Sequence, residues 1–248
     1  MDKQKEIKTQ DFVADFYENV RHSKLYAREY HDFWFSEMIK SVSPRGLILD
    51  AGCGTGEMME FLKKNGFENF IGYDISFNML SHAKKRAERL VCADAENLPF
   101  SDNSFDVIYG RSILHHLQDV PKALREAKRA LKPGGEIIFV ETNKTFINDL
   151  PRRLMKHGDH FSEDHKNFKD SDLLSMMKKE FEIKNADYFG YIGYALLGFP
   201  DMLDIYRFVP LKKLFTPFLI NIDRILSRIP VVKKLSFCIM ISATVKKI

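Results

Sequence analysis

Cysteine is scarce in this chain: three in 248 residues, Cys53, Cys92 and Cys238, odd in number and far apart. That set offers no disulfide framework and no zinc-ligand spacing, and it points to a reducing compartment. Net charge is small, +4, too slight by itself to argue for a nucleic-acid partner. The longest uncharged apolar run, near FCIMISATV, falls well short of the ~18 residues a membrane-spanning helix needs. The opening MDKQKEIKTQDF is charged and lacks the apolar core of a secretion signal. Repeats and low-complexity linkers are missing too. The expectation is a cytoplasmic protein, with contact at a membrane periphery left open.

What is present suits one globular domain with an added subdomain: 45% of residues are hydrophobic and 29% charged. From 47 to 141, apolar runs alternate with helical stretches. GLILDAG, FIGYDI, LVCAD, SFDVIYGR and EIIFVET read as strands. EMMEFLKKNG, FNMLSHAKKRAE and VPKALREAKRALKPGG read as helices, the first and last stopped by glycine. This alternation means βαβ units and a mostly parallel sheet covered on both faces, an α/β fold of the Rossmann-like, doubly wound kind.

Residues 145–172 form a long charged connection carrying His157, His160 and His165. Those histidines suggest a metal site only on paper, since the segment is polar and loop-like, and the expectation is no metal. Asp170 or Ser171 is placed to cap a helix, DLLSMMKKEF. A strand, EIKNADYFGY, follows, and LSFCIMISATVKK reads as the last one. Between these two strands lie residues 191–234, long enough to be functional. The chain thus divides into an N-terminal helical lid (1–44), a core (45–190 with 235–248) and a helical cap insertion (191–234).

The loop after the first strand is Gly52-x-Gly54-x-Gly56 with Cys53 inside it. A dinucleotide fingerprint needs a third glycine one position later, where this chain has Glu57. A carboxylate at a helix start repels pyrophosphate, and no Lys-Ser/Thr pair follows to make a P-loop. With Asp50 at the strand end, the loop suits a cationic ligand without phosphates, and S-adenosylmethionine fits. Asp74 and Asp94 follow at the ends of the next two strands, placed for ribose hydroxyls and an adenine amino group. Each aspartate taken alone also reads as a turn brace. Asp106 reads as structural, at a strand edge.

LDAGCGTGE, IGYDISFNML, ADAENLPFSDNSFDVIYGRSILHHL and LKPGGEIIFVE resemble, in order, the motifs of class I S-adenosylmethionine-dependent methyltransferases. They are most similar to the small-molecule branch of ubiquinone and menaquinone biosynthesis, over roughly residues 45–141. The resemblance implies a seven-stranded sheet whose antiparallel last strand inserts beside the fifth. It implies Asp50, Gly52, Gly54 and Gly56 around the methionine part, Asp74 on the ribose, and Ile75 and Met79 beside the adenosine. Asp94 and Ala95 would meet adenine, and backbone near Gly110 and Arg111 the amino-acid end.

His115 and His116 follow the fourth strand, and either is a candidate general base. The N-terminal aromatics, Tyr17, Tyr26 and Tyr30 among them, read as a lid or as packing. From Arg207 to Lys234 seven basic residues interleave with apolar ones, and the only acid is Asp223. In FLINIDRILSRI the apolar residues fall at helical spacing with Asp223, Arg224 and Arg228 off that face. This segment is a cap helix with its lysines in water, or a basic apolar surface that meets an anionic membrane and admits a greasy acceptor. The expected function is methyl transfer by in-line displacement to a small molecule, hydrophobic in the sense of a lipid, quinone or isoprenoid. The competing readings are a binding module without turnover and an NAD-dependent oxidoreductase. A third rival, an RNA methyltransferase, lacks an appended RNA module.

Overall fold

The computed structural model describes residues 3–21, 23–40, 42–43, 45–145, 168–198, 200 and 204–246. The three histidines of the long connection lie outside them. Seven strands form one sheet: β1 Ile48–Ala51, β2 Phe70–Asp74, β3 Leu90–Cys92, β4 Phe105–Arg111, β5 Leu131–Thr142, β6 Phe181–Phe189 and β7 Cys238–Val245. The order is β3-β2-β1-β4-β5-β7-β6. β1 to β5 run parallel, and β7 runs antiparallel between β5 and β6. The last strand therefore sits where the sequence resemblance puts it.

Seven α-helices surround the sheet among the described residues, the first resting on the fourth: α1 Lys3–Phe16, α2 Leu25–Met38, α3 Glu57–Lys64, α4 Phe77–Ala83, α5 Val120–Ala130, α6 Asp170–Glu180 and α7 Lys212–Leu226. Strand alternation sends Ile48, Val107 and Ile138 into one core with α2 and α3, and Leu49, Ile108 and Ile137 into the other with α5 and α6. Local chemistry sets the boundaries. Ser76 caps α4 by accepting from Met79 N–H at 3.0 Å, and Asp119 caps α5 by accepting from Lys122 N–H at 3.0 Å.

Three boundaries differ from the sequence reading. α5 stops at Ala130 rather than running to the glycines, because Leu131 is already extended and paired with Phe105. β3 ends at Cys92, and Asp94 lies beyond it in an isolated bridge to Asn97. The N-cap of α6 is Lys169, so Asp170 sits inside the first turn, where its charge meets the positive end of the helix dipole. Asp106 is structural as expected, accepting from Leu47 N–H at 2.8 Å and from Lys132.

Candidate active site

The three aspartates do converge on one crevice at the carboxyl edge of the sheet. β1 delivers Asp50, which is 2% exposed. The chain then turns through Gly52 at φ 65° and Gly54 at φ 53°, a region that side chains other than glycine rarely adopt. A Cβ on Gly52 would come within 2.8 Å of Ile113. A Cβ on Gly54 would meet nothing within 4 Å, so this turn opens into the cavity.

Asp74 binds the loop from the next strand. Its Oδ2 accepts from Gly54 N–H and its Oδ1 from Ser76 N–H, both at 2.9 Å. Burial raises its pKa, against the pull of those backbone donors. Asp50 is more strained electrostatically. Burial lifts its pKa to about 7; Arg111 lowers it, while Asp74 and Glu57 raise it. Its Oδ2 is buried with no hydrogen-bond partner among the described residues. A buried, unpaired carboxylate oxygen is costly, and a cationic group of a bound ligand would satisfy it.

Asp94 lies at the same crevice and is engaged from the opposite side. Lys3 Nζ donates to it at 2.7 Å, Asn97 at 3.2 Å and Glu96 N–H at 2.9 Å. Burial alone would raise its pKa, but these donors hold it below the usual range. Helix α1 thus straps the crevice. Lys3 also pairs with Glu96, Glu6 lies 2.8 Å from His116, and Asp11 accepts from Ser76 Oγ. Of the N-terminal tyrosines, only Tyr17 lines the cavity; Tyr26 and Tyr30 turn away to Asp204 and Asp223.

The crevice encloses about 230 Å³. Asp50, Gly52, Cys53, Gly54, Asp74, Ile75, Met79, Asp94, Ala95, Arg111 and His116 all line it. Gly56, Gly110 and His115 do not. Gly110 is a packing position, where a Cβ would fall 2.4 Å from the Phe139 ring. His115 is 9% exposed, and its Nδ1 lies 2.6 Å from Glu141. Glu141 also accepts from the N–H groups of Ile113 and Leu114, so it fixes the turn that carries both histidines.

Several wall residues escaped the sequence reading. The Arg111 side chain, not its backbone alone, enters the cavity; its Nη2 pairs with Glu57 at 2.5 Å. The charge on Glu57 is therefore met from within the site. Arg111 Nη1 also donates to His31 Nδ1 at 3.2 Å, while His31 Nε2 lies 3.2 Å from the Gly198 carbonyl. A guanidinium only donates and a carbonyl only accepts, so His31 is the neutral Nε2–H tautomer. Trp34, Phe35, Met38, Tyr109, Phe189 and Tyr194 build the far wall, with Trp34 stacked on Phe189 at 4.3 Å. Tyr109 was legible in principle, since a period of two puts it on the same face of β4 as Arg111. His31 and Phe189 come from distant segments and gave no local signal.

An acidic, glycine-hinged edge at the strand ends, faced by an aromatic far wall, suits a cationic nucleoside ligand. A family model described as a methyltransferase domain matches residues 49–139. A protein of Methanocaldococcus jannaschii, MJ1123, is 35% identical over 64% of this chain and 80% of its own length. The chain belongs to the class I S-adenosylmethionine-dependent methyltransferases. Demethylmenaquinone methyltransferase of Thermobifida fusca is 27% identical over 79% of the chain and 80% of its own length. A solved S-adenosylmethionine-dependent methyltransferase of Thermotoga maritima shares the fold, with a TM-score of 0.67 at 21% identity over 97% of this chain and 100% of that one. The matches to other curated relatives span between 21% and 57% of those proteins' length.

S-adenosylmethionine is the cofactor of this methyltransferase. The residues present fit it: the unsatisfied Asp50 oxygen, the open turn at Gly54 and the absence of a phosphate loop all suit a cationic nucleoside.

Proposed function

We propose that this methyltransferase alkylates a hydrophobic small molecule of the lipid, quinone or isoprenoid kind, and that it works at the periphery of a membrane on the cytoplasmic side. The aromatic far wall carries this reading. Trp34, Phe35, Met38, Phe189 and Tyr194 offer an acceptor little but apolar surface. The demethylmenaquinone methyltransferase similarity is consistent with it.

The cofactor supplies a methyl group already activated by a positive sulfur. The residues therefore bind and orient rather than activate. Asp50 holds the cationic end, Asp74 the ribose and Asp94 the adenine, with Gly52, Gly54, Ile75, Met79 and Ala95 around them. Residues 1–44 act as the lid, and 191–234 as the cap on the acceptor side. A base serves only where the acceptor must lose a proton. Of the two neighbouring histidines, His116 is the one at the cavity wall, with its Nδ1 2.8 Å from the Glu6 carboxylate. His115 acts as its positioner through Glu141. His31 is held as a donor and is no base.

Incubation with methyl-labelled cofactor and cell extract, followed by partition between solvent and water, tests this. Label in the organic phase is expected. Label confined to the aqueous phase would overturn the hydrophobic acceptor. Absence of label in both, with S-adenosylhomocysteine still bound, would favour a binding module.

A further inference from the structure

We propose that the outward face of α7, with the segments that flank it, docks on an anionic lipid bilayer. The inference deepens the reading of a membrane-peripheral enzyme and rests on it for its purpose only.

Helix α7 is seated with two of its polar residues, Thr216 and Asp223, inward. Asp223 is fully buried and accepts four hydrogen bonds: from Tyr30 OH at 2.7 Å and from the N–H groups of Tyr191, Gly193 and Tyr194 at 2.9, 2.8 and 3.0 Å. Thr216, 1% exposed, shares a hydrogen bond with Tyr206. Thr216, Ile220 and Asp223 make the buried stripe of the helix. The sequence reading put Asp223 off the apolar face of the helix, and in the structure Asp223 is on the buried side. The reason is a cluster of backbone donors around residue 193 that needs a buried acceptor.

The rotation pushes the apolar residues out. At about 3.6 residues per turn, Leu214, Phe218 and Ile225 share one ridge, and they are 66%, 58% and 60% exposed. Phe208, Leu211 and Val231 continue it at both ends, at 73%, 71% and 82%. An apolar ridge this continuous on a soluble face marks an interaction surface. Around it stand the exposed cations Arg207, Lys213, Arg224, Arg228 and Lys234. No acid of residues 204–237 opposes them. Asp223 is buried, and Asp204 is paired with Lys24 and Tyr26.

Charge chooses the occupant. A second copy on a two-fold axis would bring like cations together. An anionic bilayer meets the cations at its headgroups and the ridge at its acyl boundary. α7 has 15 residues, roughly 22 Å at 1.5 Å per residue, too short to cross and long enough to lie in the interface.

Sedimentation of the full chain with phosphatidylcholine vesicles, with and without phosphatidylglycerol, tests the proposal at low salt. Binding is expected only with phosphatidylglycerol. Phe218→Glu should abolish it, and paired Lys213→Ala and Arg224→Ala should weaken it roughly twenty-five-fold, at about fivefold per charge. Lys179→Glu, on another surface, should leave it unchanged. Failure of the wild-type chain to sediment overturns the proposal, as does binding by Phe218→Glu equal to wild type. A dimer that Phe218→Glu dissolves, without vesicle binding, would assign the face to a second copy instead. S-adenosylhomocysteine calorimetry on the same samples separates loss of docking from loss of the cofactor site.

Discussion

Tyr30 and Asp223 lie 193 positions apart in the chain and meet at 2.7 Å in the interior. The hydroxyl of α2 donates to the carboxylate of α7, joining the N-terminal helices to the cap. Burial and the neighbouring carboxylate push the Tyr30 phenol well above its ordinary range, so it stays a donor.

Removing this fastening should be costly. Asp223→Ala leaves a buried hydroxyl and three N–H groups without an acceptor, at about 1–3 kcal/mol for each group left unsatisfied. A loss of more than about 3 kcal/mol in urea unfolding is expected, against about 1–2 kcal/mol for Tyr30→Phe. Equal effects of the two variants would show that the backbone donors do not depend on Asp223.

Asp74→Ala should abolish cofactor binding. It removes the acceptor that shapes the Gly54 turn and the group assigned to the ribose, together worth about a hundredfold or more in affinity. Titration calorimetry with S-adenosylhomocysteine reads this directly. Unchanged affinity in a folded variant would refute the assignment.

Asp50 makes binding depend on pH. Its folded pKa of about 7 lies above the unfolded value near 3.9. The ligand-free fold therefore holds an extra proton between those values, and stability falls as pH rises through them. The ammonium group of a bound S-adenosylhomocysteine favours the charged form of Asp50, so affinity for it should increase from about pH 6 to pH 8 with release of a proton. Asp50→Asn should flatten that profile. Calorimetry in buffers of differing ionisation heat counts the proton.

Trp34 is the single tryptophan of the chain and stands in the aromatic wall. Its emission should change on adding an apolar quinone to the protein saturated with S-adenosylhomocysteine. Phe189→Ala, which removes its stacking partner, should weaken that response by about 0.5–1.5 kcal/mol, or several-fold in affinity. An emission insensitive to every apolar ligand would count against the acceptor assignment.

Much of the core was legible because its signals are local. A buried strand announces itself by composition, and a glycine turn by the positive φ that only glycine takes freely. Asp50, Asp74 and Asp94 were readable because each stands at or just past a strand end, and parallel strands bring their ends to one edge. Glu57 was readable as a position, but its partner was not. Arg111 reaches it only because β4 lies beside β1, a pairing decided by the sheet.

The cap shows where local reading stops. Periodicity alone identified helical spacing in residues 218–229, where the structure has a helix over 212–226, and the basic, apolar composition of the segment was plain. Which side faces inward is not a property of periodicity. The buried donors of residues 191–194 and Tyr30 draw Asp223 inside, and a hydrogen-bonded carboxylate there outweighs the pull of Leu214, Phe218 and Ile225 toward the core. The sequence by itself determined the order of the strands along the chain, the glycine turn and the acidic edge. Tertiary structure decided the aromatic wall, the state of His31 and the outward turn of the cap, because each depends on groups brought together from distant segments.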